Sequence, residues 1–197
     1  RVILELDGET VVKATPVLGY LHRGIEKLAE SRTYPQFIPY TDRLDYVSSM
    51  SNNLAYCQTV EKLMQIEVPE RAEYIRVIMA ELNRIASHLL FIGSATLDLG
   101  GMTGMLYTFR DREYILDMFN LAAGSRLTYS YVRIGGVMND LSPEFLELLR
   151  KYLAELPGML QEYDELINGN EIFQARLKNV SAVPAERLIS LGVTGPV

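Results

Sequence analysis

Hydrophobic and polar residues alternate one by one at the start of the chain. Val2, Leu4 and Leu6 face one way, Asp7-Gly8 is a two-residue turn signal, and Thr10 to Ala14 return before Pro16 ends the run. This predicts a β-hairpin over 1–16, at the edge of the fold. From Gly24 onward the apolar period lengthens and the chain reads as helical. Ile25 to Arg32 forms a short segment, and Tyr34-Pro35 with Pro39 predicts an extended or turned stretch. A second helix covers Ser48 to Gln65. Pro69 opens a third, whose stripe of Ile75, Ile78, Met79, Leu82, Ile85, Ala86 and Leu89 follows the helical period. Met105 to Ala123 is a fourth helix, closed by Gly124. Tyr129 to Ile134 reads as a strand or an irregular segment before Gly135-Gly136. Ser142-Pro143-Glu144 is the capped start of a long helix to about Ile167, with a bend at Pro157-Gly158. A short piece near Ile172 to Arg176 and a helix from Pro184 to about Leu191 complete the pattern. The expectation is a mainly α chain with a small N-terminal β-hairpin, organised as one domain over 1–197 with the helical part at 24–197.

Composition narrows the chemistry. Of 197 residues, 48% are hydrophobic and 22% charged, which is globular rather than disordered usage. The net charge of −6 argues against a nucleic-acid partner, because phosphate binding draws on clustered Lys and Arg. The single cysteine, Cys57, cannot form an internal disulfide or supply a zinc or iron–sulfur site by itself. The only histidines are His22 and His88, too few for an all-histidine metal centre. The longest apolar stretch, Leu89 to Met102, is interrupted by Gly93, Asp98 and Gly100-Gly101, so no membrane span is expected. A chain that opens on Arg1 rather than Met reads as a piece of a longer protein.

Three groups of residues could carry chemistry. Pro39 to Tyr46 brings together Asp42, Arg43, Asp45, Tyr40 and Tyr46 just before a helix. A tyrosine there could give one hydrogen bond to a carbonyl oxygen in a greasy cleft; the plainer reading is a helix-entry loop. Glu81, Arg84 and His88 lie on one stripe of the third helix, either as a proton-relay face or as a solvated polar face. Asp98, among Leu97, Leu99 and Met102, must find a partner or hold its proton more tightly; a capping role at the following turn is equally open. Gly100-Gly101 and Gly135-Gly136 match no phosphate-loop spacing. The eight methionines are read as ordinary core packing, with an adaptable cavity floor as the alternative.

Six runs, taken in order, resemble a known family. They are Gly19-Tyr20-Leu21-His22-Arg23-Gly24, Arg43-Leu44-Asp45-Tyr46, Glu81 to Leu89, Asp98-Leu99-Gly100, Phe109-Arg110-Asp111-Arg112-Glu113 and Arg133-Ile134-Gly135-Gly136-Val137. Together they are similar to the hydrogenase-like large subunit of respiratory NADH:quinone oxidoreductase, complex I. The resemblance spans nearly all of this chain and about half of such a subunit. It implies a helical bundle of the nickel–iron hydrogenase large-subunit type. In those hydrogenases two nickel-binding cysteines follow the arginine that matches Arg43; here Asp45 and Ser48 stand at those places, so soft metal ligation is lost and no metal site is expected.

The resemblance also implies a function. Tyr46 corresponds to a tyrosine that hydrogen-bonds the quinone headgroup, and Asp98 to an aspartate paired with a histidine from a loop preceding Arg1. With His88 they form the implied quinone-binding set, and Tyr46 and Asp98 the implied catalytic pair. Arg23 and Arg43 correspond to arginines that tune a neighbouring cluster. Quinone is the substrate, whereas NAD and the iron–sulfur clusters belong to partner subunits. Those partners are a small subunit carrying the terminal tetranuclear cluster, other peripheral-arm subunits and the membrane subunit of the quinone tunnel. The implied location is peripheral, on the cytoplasmic side of a bacterial inner membrane, in a proton-pumping enzyme. Thr128 departs from the pattern: many relatives carry a histidine there, and threonine cannot titrate near neutral pH. Open alternatives are a non-catalytic helical docking module, or a subunit of a related hydrogenase, F420-linked or plastoquinone-linked complex.

Overall fold

A computed structural model describes residues 1–193; the end of the expected 1–197 domain lies outside them. The centre of the fold is a pair of long helices. Helix α4 (Glu70–Asp98) and helix α5 (Met102–Ala123) run antiparallel and make the most extensive contact between elements. The stripe read from the sequence is the reason. Ile75, Met79, Leu82, Ala86 and Leu89 of α4 are buried against Ile115, Leu116, Met118, Phe119 and Ala122 of α5. Near the turn the two backbones come unusually close. A Cβ at Gly93 would sit 2.4 Å from Thr108 Oγ1, and one at Gly104 would sit 2.9 Å from Thr96 Oγ1. Gly93 therefore does not interrupt the helix; it makes room for α5.

The other elements dress this pair. Helix α3 (Ser49–Met64) packs on α4, and helix α2 (Tyr34–Thr41) packs on α3. Helix α6 (Pro143–Tyr163) lies along α5, burying Phe145, Tyr152 and Met159. It starts where the sequence placed it, with Ser142 Oγ accepting from the Phe145 N–H at 3.1 Å. Asp111, fully buried on α5, accepts hydrogen bonds from the Tyr163 hydroxyl and from Arg110, locking the two helices together. Between α5 and α6 runs a connector containing the two-residue strands β3 (Val132–Arg133) and β4 (Gly136–Val137), which pair antiparallel and touch α3 and α4. Short helices α7 (Glu171–Leu177) and α8 (Ala185–Ser190) follow; Arg176 of α7 donates to the Leu99 carbonyl, a cation at the C-terminal end of α4.

The N-terminal hairpin forms as expected, with β1 (Val2–Asp7) and β2 (Thr10–Pro16) antiparallel. Its turn residues are Gly8 and Glu9, one place beyond the expected pair, and Gly8 supplies the left-handed position at φ +60°. Both faces of this ribbon are open to solvent. Val2, Leu4 and Leu6 are all exposed.

One expectation about the elements needs correcting. The stretch expected to be extended around Pro35 and Pro39 is helix α2. Pro35 occupies its first turn, where the missing N–H costs nothing, and Gln36 Oε1 caps the Thr33 N–H at 3.2 Å. The long helix runs through Pro157-Gly158 as α-helix to Tyr163 and continues as a π-helical turn at Asp164–Asn168, close to the expected end at Ile167. Of the methionines, Met50, Met79, Met118 and Met159 are core residues, whereas Met64, Met102 and Met138 are exposed.

Candidate functional site

The segment between α2 and α3, residues 42–48, is short and irregular, yet side chains hold its backbone at almost every step. Ser49 Oγ donates to the Asp42 carbonyl at 3.0 Å and the Tyr46 carbonyl at 3.1 Å. Asn52 Nδ2 donates to the Asp45 carbonyl at 3.0 Å. From α4, Asn83 donates to the Val47 carbonyl at 3.1 Å and accepts the Met50 N–H at 3.0 Å. Such side-chain bonds replace the ladder that a loop lacks. They leave the Tyr46 ring standing out of a fixed backbone, 61% exposed.

Arg23 and Arg43 meet here. The Arg23 guanidinium donates to the Arg43 carbonyl, and Arg43 donates to the Pro39 carbonyl. Both side chains are exposed. Two cations and a phenol are thus exposed on or against one short segment.

Asp42, which opens that segment, is fully buried. Its Oδ2 accepts the Ser130 N–H at 2.9 Å and the Ser130 hydroxyl. Burial pushes its carboxyl above the ordinary range, against the pull of the Ser130 bonds, Asn53 and Arg43. The connector it grips is strained. Thr128 and Ser130 have φ of +53° and +44°, where a side chain costs about 1–3 kcal/mol each.

A second buried acid holds the same connector five residues farther along, at Gly135. Glu61 of α3 accepts the Gly135 N–H at 2.7 Å and is paired with Arg76 of α4, itself fully buried. The Arg76 guanidinium also donates to the Arg133 and Gly136 carbonyls at 2.8 Å and 3.0 Å. Burial would raise the Glu61 carboxyl, but the bonds from Arg76 and Gly135, with the Arg76 charge, bring it below its ordinary value. The same environment pushes the nearby Cys57 thiol up to about 11, first through burial and then through the Glu61 charge.

The residues expected on α4 lie elsewhere. His88 is on its exposed face, as are Glu81 and Arg84, which pair with each other in solvent. Asp98 is the exposed last residue of the helix, so the expectation of a carboxylate forced to find a protein partner does not hold: water reaches it. Leu97 and Met102 beside it are exposed too. Asn83 ties the Tyr46 segment to mid-helix, and Asp98 lies roughly 22 Å farther along α4 at the helical rise per residue. Close to that end, a hollow of about 220 Å³ is lined by Thr96, Leu99, Gly101, Gly104, Ile167 and Phe173. The structure therefore sets Arg23 against the backbone of the segment that carries Arg43 and Tyr46 and leaves Asp98 at the far end of α4, with His88 between, roughly 8 Å along the helix from Asn83. Among the described residues there is no cluster of three or more metal-ligating side chains, and no helix long and apolar enough to cross a membrane.

Sequence reasoning missed Asp42's burial and the roles of Ser49, Asn53, Glu61, Arg76, Asn83 and Ser130. Two of them carried a signal. Arg76 and Asn83 fall on the apolar side of α4, among Ala72, Ile75, Met79, Leu82 and Ala86, where a polar residue must be satisfied.

Comparison with known proteins completes the picture. Residues 98–197 match the sequence profile of the respiratory-chain NADH dehydrogenase 49 Kd subunit family. Over its full length the chain is 60% identical to an NADH-quinone oxidoreductase subunit of Desulforamulus reducens, covering 54% of that protein. It is 59% identical to the like-named subunit of Clostridium beijerinckii, of which it covers 53%. Over 99% of its length it is 51% identical to that of Campylobacter jejuni, of which it covers 48%. The chain spans about half the length of the curated relatives it matches.

Proposed function

From the premise that the chain belongs to the respiratory-chain NADH dehydrogenase 49 Kd subunit family, we propose that it supplies one wall of a quinone-reducing pocket in a proton-pumping NADH:quinone oxidoreductase. The observation that carries the reading is the Tyr46 ring, presented to the outside from a backbone that Ser49 and Asn83 fix in place. A phenol so held can donate to one quinone carbonyl without first ordering its own loop. Asp98 and His88 complete the proposed quinone-binding set only with residues beyond this chain, including a histidine for Asp98 to orient. Arg23 and Arg43 present cationic charge on or against the segment that carries Tyr46, where it would favour the reduced state of a cluster held by a docked partner.

In this reading the chain's scaffold is of the nickel–iron hydrogenase large-subunit type and forms one domain. Electrons arrive singly from the terminal tetranuclear cluster of a small iron–sulfur subunit, and NAD is handled by other peripheral-arm subunits. Quinone enters from a membrane subunit, so the chain sits peripherally, on the cytoplasmic side of the bacterial inner membrane. Thr128 stands in the connector two residues before the Ser130 that Asp42 holds and has no group that titrates near neutral pH, so proton uptake there must use another group. The docking-module reading draws on a separate feature, the solvent-facing apolar side chains of the N-terminal hairpin.

Tyr46→Phe in the assembled complex tests the proposal. Quinone reductase activity should fall far more than the amount of assembled complex; unchanged quinone kinetics would remove Tyr46 from the site.

A further inference from the structure

Directly under the Tyr46 segment sits an acid that the proposed chemistry does not use. Asp42 is fully buried, and its Oδ2 takes both bonds from Ser130. Among the described residues its Oδ1 has no partner, and neither does Oδ1 of the buried Asn53, which reaches the Asp42 carboxyl from α3. Two buried acceptors without donors make a costly arrangement for an anion. One proton on Oδ1 removes the buried anion and turns an orphaned acceptor into a donor, working against the Asn53 contact, which favours the charged form.

The surroundings agree. The Asn53 amide also donates to Thr41 Oγ1 at 2.8 Å and to the Ile38 carbonyl at 3.4 Å. Cys57 on α3 and Tyr129 on the connector both feel the Asp42 charge, and burial holds them neutral, with Tyr129 pushed up to about 12. Arg43 is the cation that acts on Asp42, but its side chain is exposed and turned to the Pro39 carbonyl. Across the contact, the connector bends through positive φ at Thr128 and Ser130, a conformation that persists only where neighbours impose it.

We propose that Asp42 is a neutral bracket: protonated on Oδ1, it holds Ser130 through Oδ2 and so positions the Arg43–Tyr46 segment against the strained Thr128–Ser130 turn. The effect on quinone rests on the reading of Tyr46 given above. Asn is the conservative replacement, since its carbonyl can take the Ser130 bonds with no charge to bury. Ala removes the bracket.

The test uses the assembled complex, with decylubiquinone and menadione as acceptors and hydrogen exchange of the Ser130 amide as a structural readout. In Asp42→Ala the Ser130 amide should exchange faster. KM for quinone should rise about three- to tenfold, the range one lost hydrogen bond gives, with a smaller change in kcat. Asp42→Asn should rescue both. An Asn variant as impaired as Ala shows that the anion is needed and overturns the proposal, as does an Ala variant that matches wild type. If Asp42→Ala does not assemble, Ser130→Ala removes the hydroxyl bond alone and must raise KM in the same direction, or the bracket fails. Normal quinone kinetics in both Tyr46→Phe and Asp42→Ala, with fast Ser130 exchange in the latter, leave the bracket standing and strike down the reading of Tyr46.

Discussion

Asp42 and Glu61 reach from the α2–α3 side to the same connector and hold it at Ser130 and Gly135, yet they solve the problem of a buried carboxyl in opposite ways. Glu61 faces Arg76, and its oxygens are met by the guanidinium and the Gly135 N–H, so charge is retained and its proton is held loosely. Asp42 has no such partner among the described residues, one of its oxygens is orphaned, and its proton is held tightly. A buried acid is therefore not one kind of object. The first clamps by ion pairing and shapes the Arg133–Gly136 turn. The second grips through hydrogen bonds alone, directly beneath Tyr46.

The sharpest way to break this contrast is Arg76→Met. Removing the guanidinium strands Glu61 as an uncompensated buried charge and frees two carbonyls, which should cost about 3–5 kcal/mol in urea unfolding. Adding Glu61→Gln to it should recover part of the loss, because the stranded charge is gone. A double variant as unstable as the single would mean that the packing of Arg76, and not the pair, carries the stability.

Acid titration separates the two next. Glu61 has a lowered pKa when folded, so its contribution is fully present above its ordinary value of 4.5 and is lost as pH falls through the folded value. Asp42 has a raised pKa when folded, so its contribution is fully present below its ordinary value of 3.8 and is lost as pH rises through the folded value. Unfolding followed against pH should lose part of its acid-side decline in Glu61→Gln, whereas Asp42→Asn should remove a decline on the rising side. Identical pH profiles for the two variants would erase the distinction. The smallest effect is expected from Ser130→Gly. It relieves a positive φ but loses the hydroxyl bond, and these offset to within about 1 kcal/mol.

How much of this is legible in the sequence depends on the distance between partners. The α4 stripe, the Gly124 stop and the Ser142 cap are local signals, and each is where the pattern places it. Helix α2 escapes the pattern because Pro35 and Pro39 read as breakers, although Thr33 and Gln36 spell a helix start. Asp98 misleads because its apolar sequence neighbours are not its surroundings; on a helix, adjacent residues point apart. The burial of Asp42 and Glu61 depends on Ser130 and Gly135, far along the chain, and no local pattern reports such a contact. The candidate site divides the same way. Tyr46 stands out by its family likeness, but the polar scaffold that fixes its backbone is built from residues with no motif.

The N-terminal ribbon has a consequence for handling the protein. Two strands alone are marginal in water, and this pair offers Val2, Leu4, Leu6 and Val11 to solvent along with two open backbone edges. Purified free of neighbours, it is the part a protease would clip first and the part by which one molecule would stick to the next. Cleavage confined to the ribbon would leave the helical body intact.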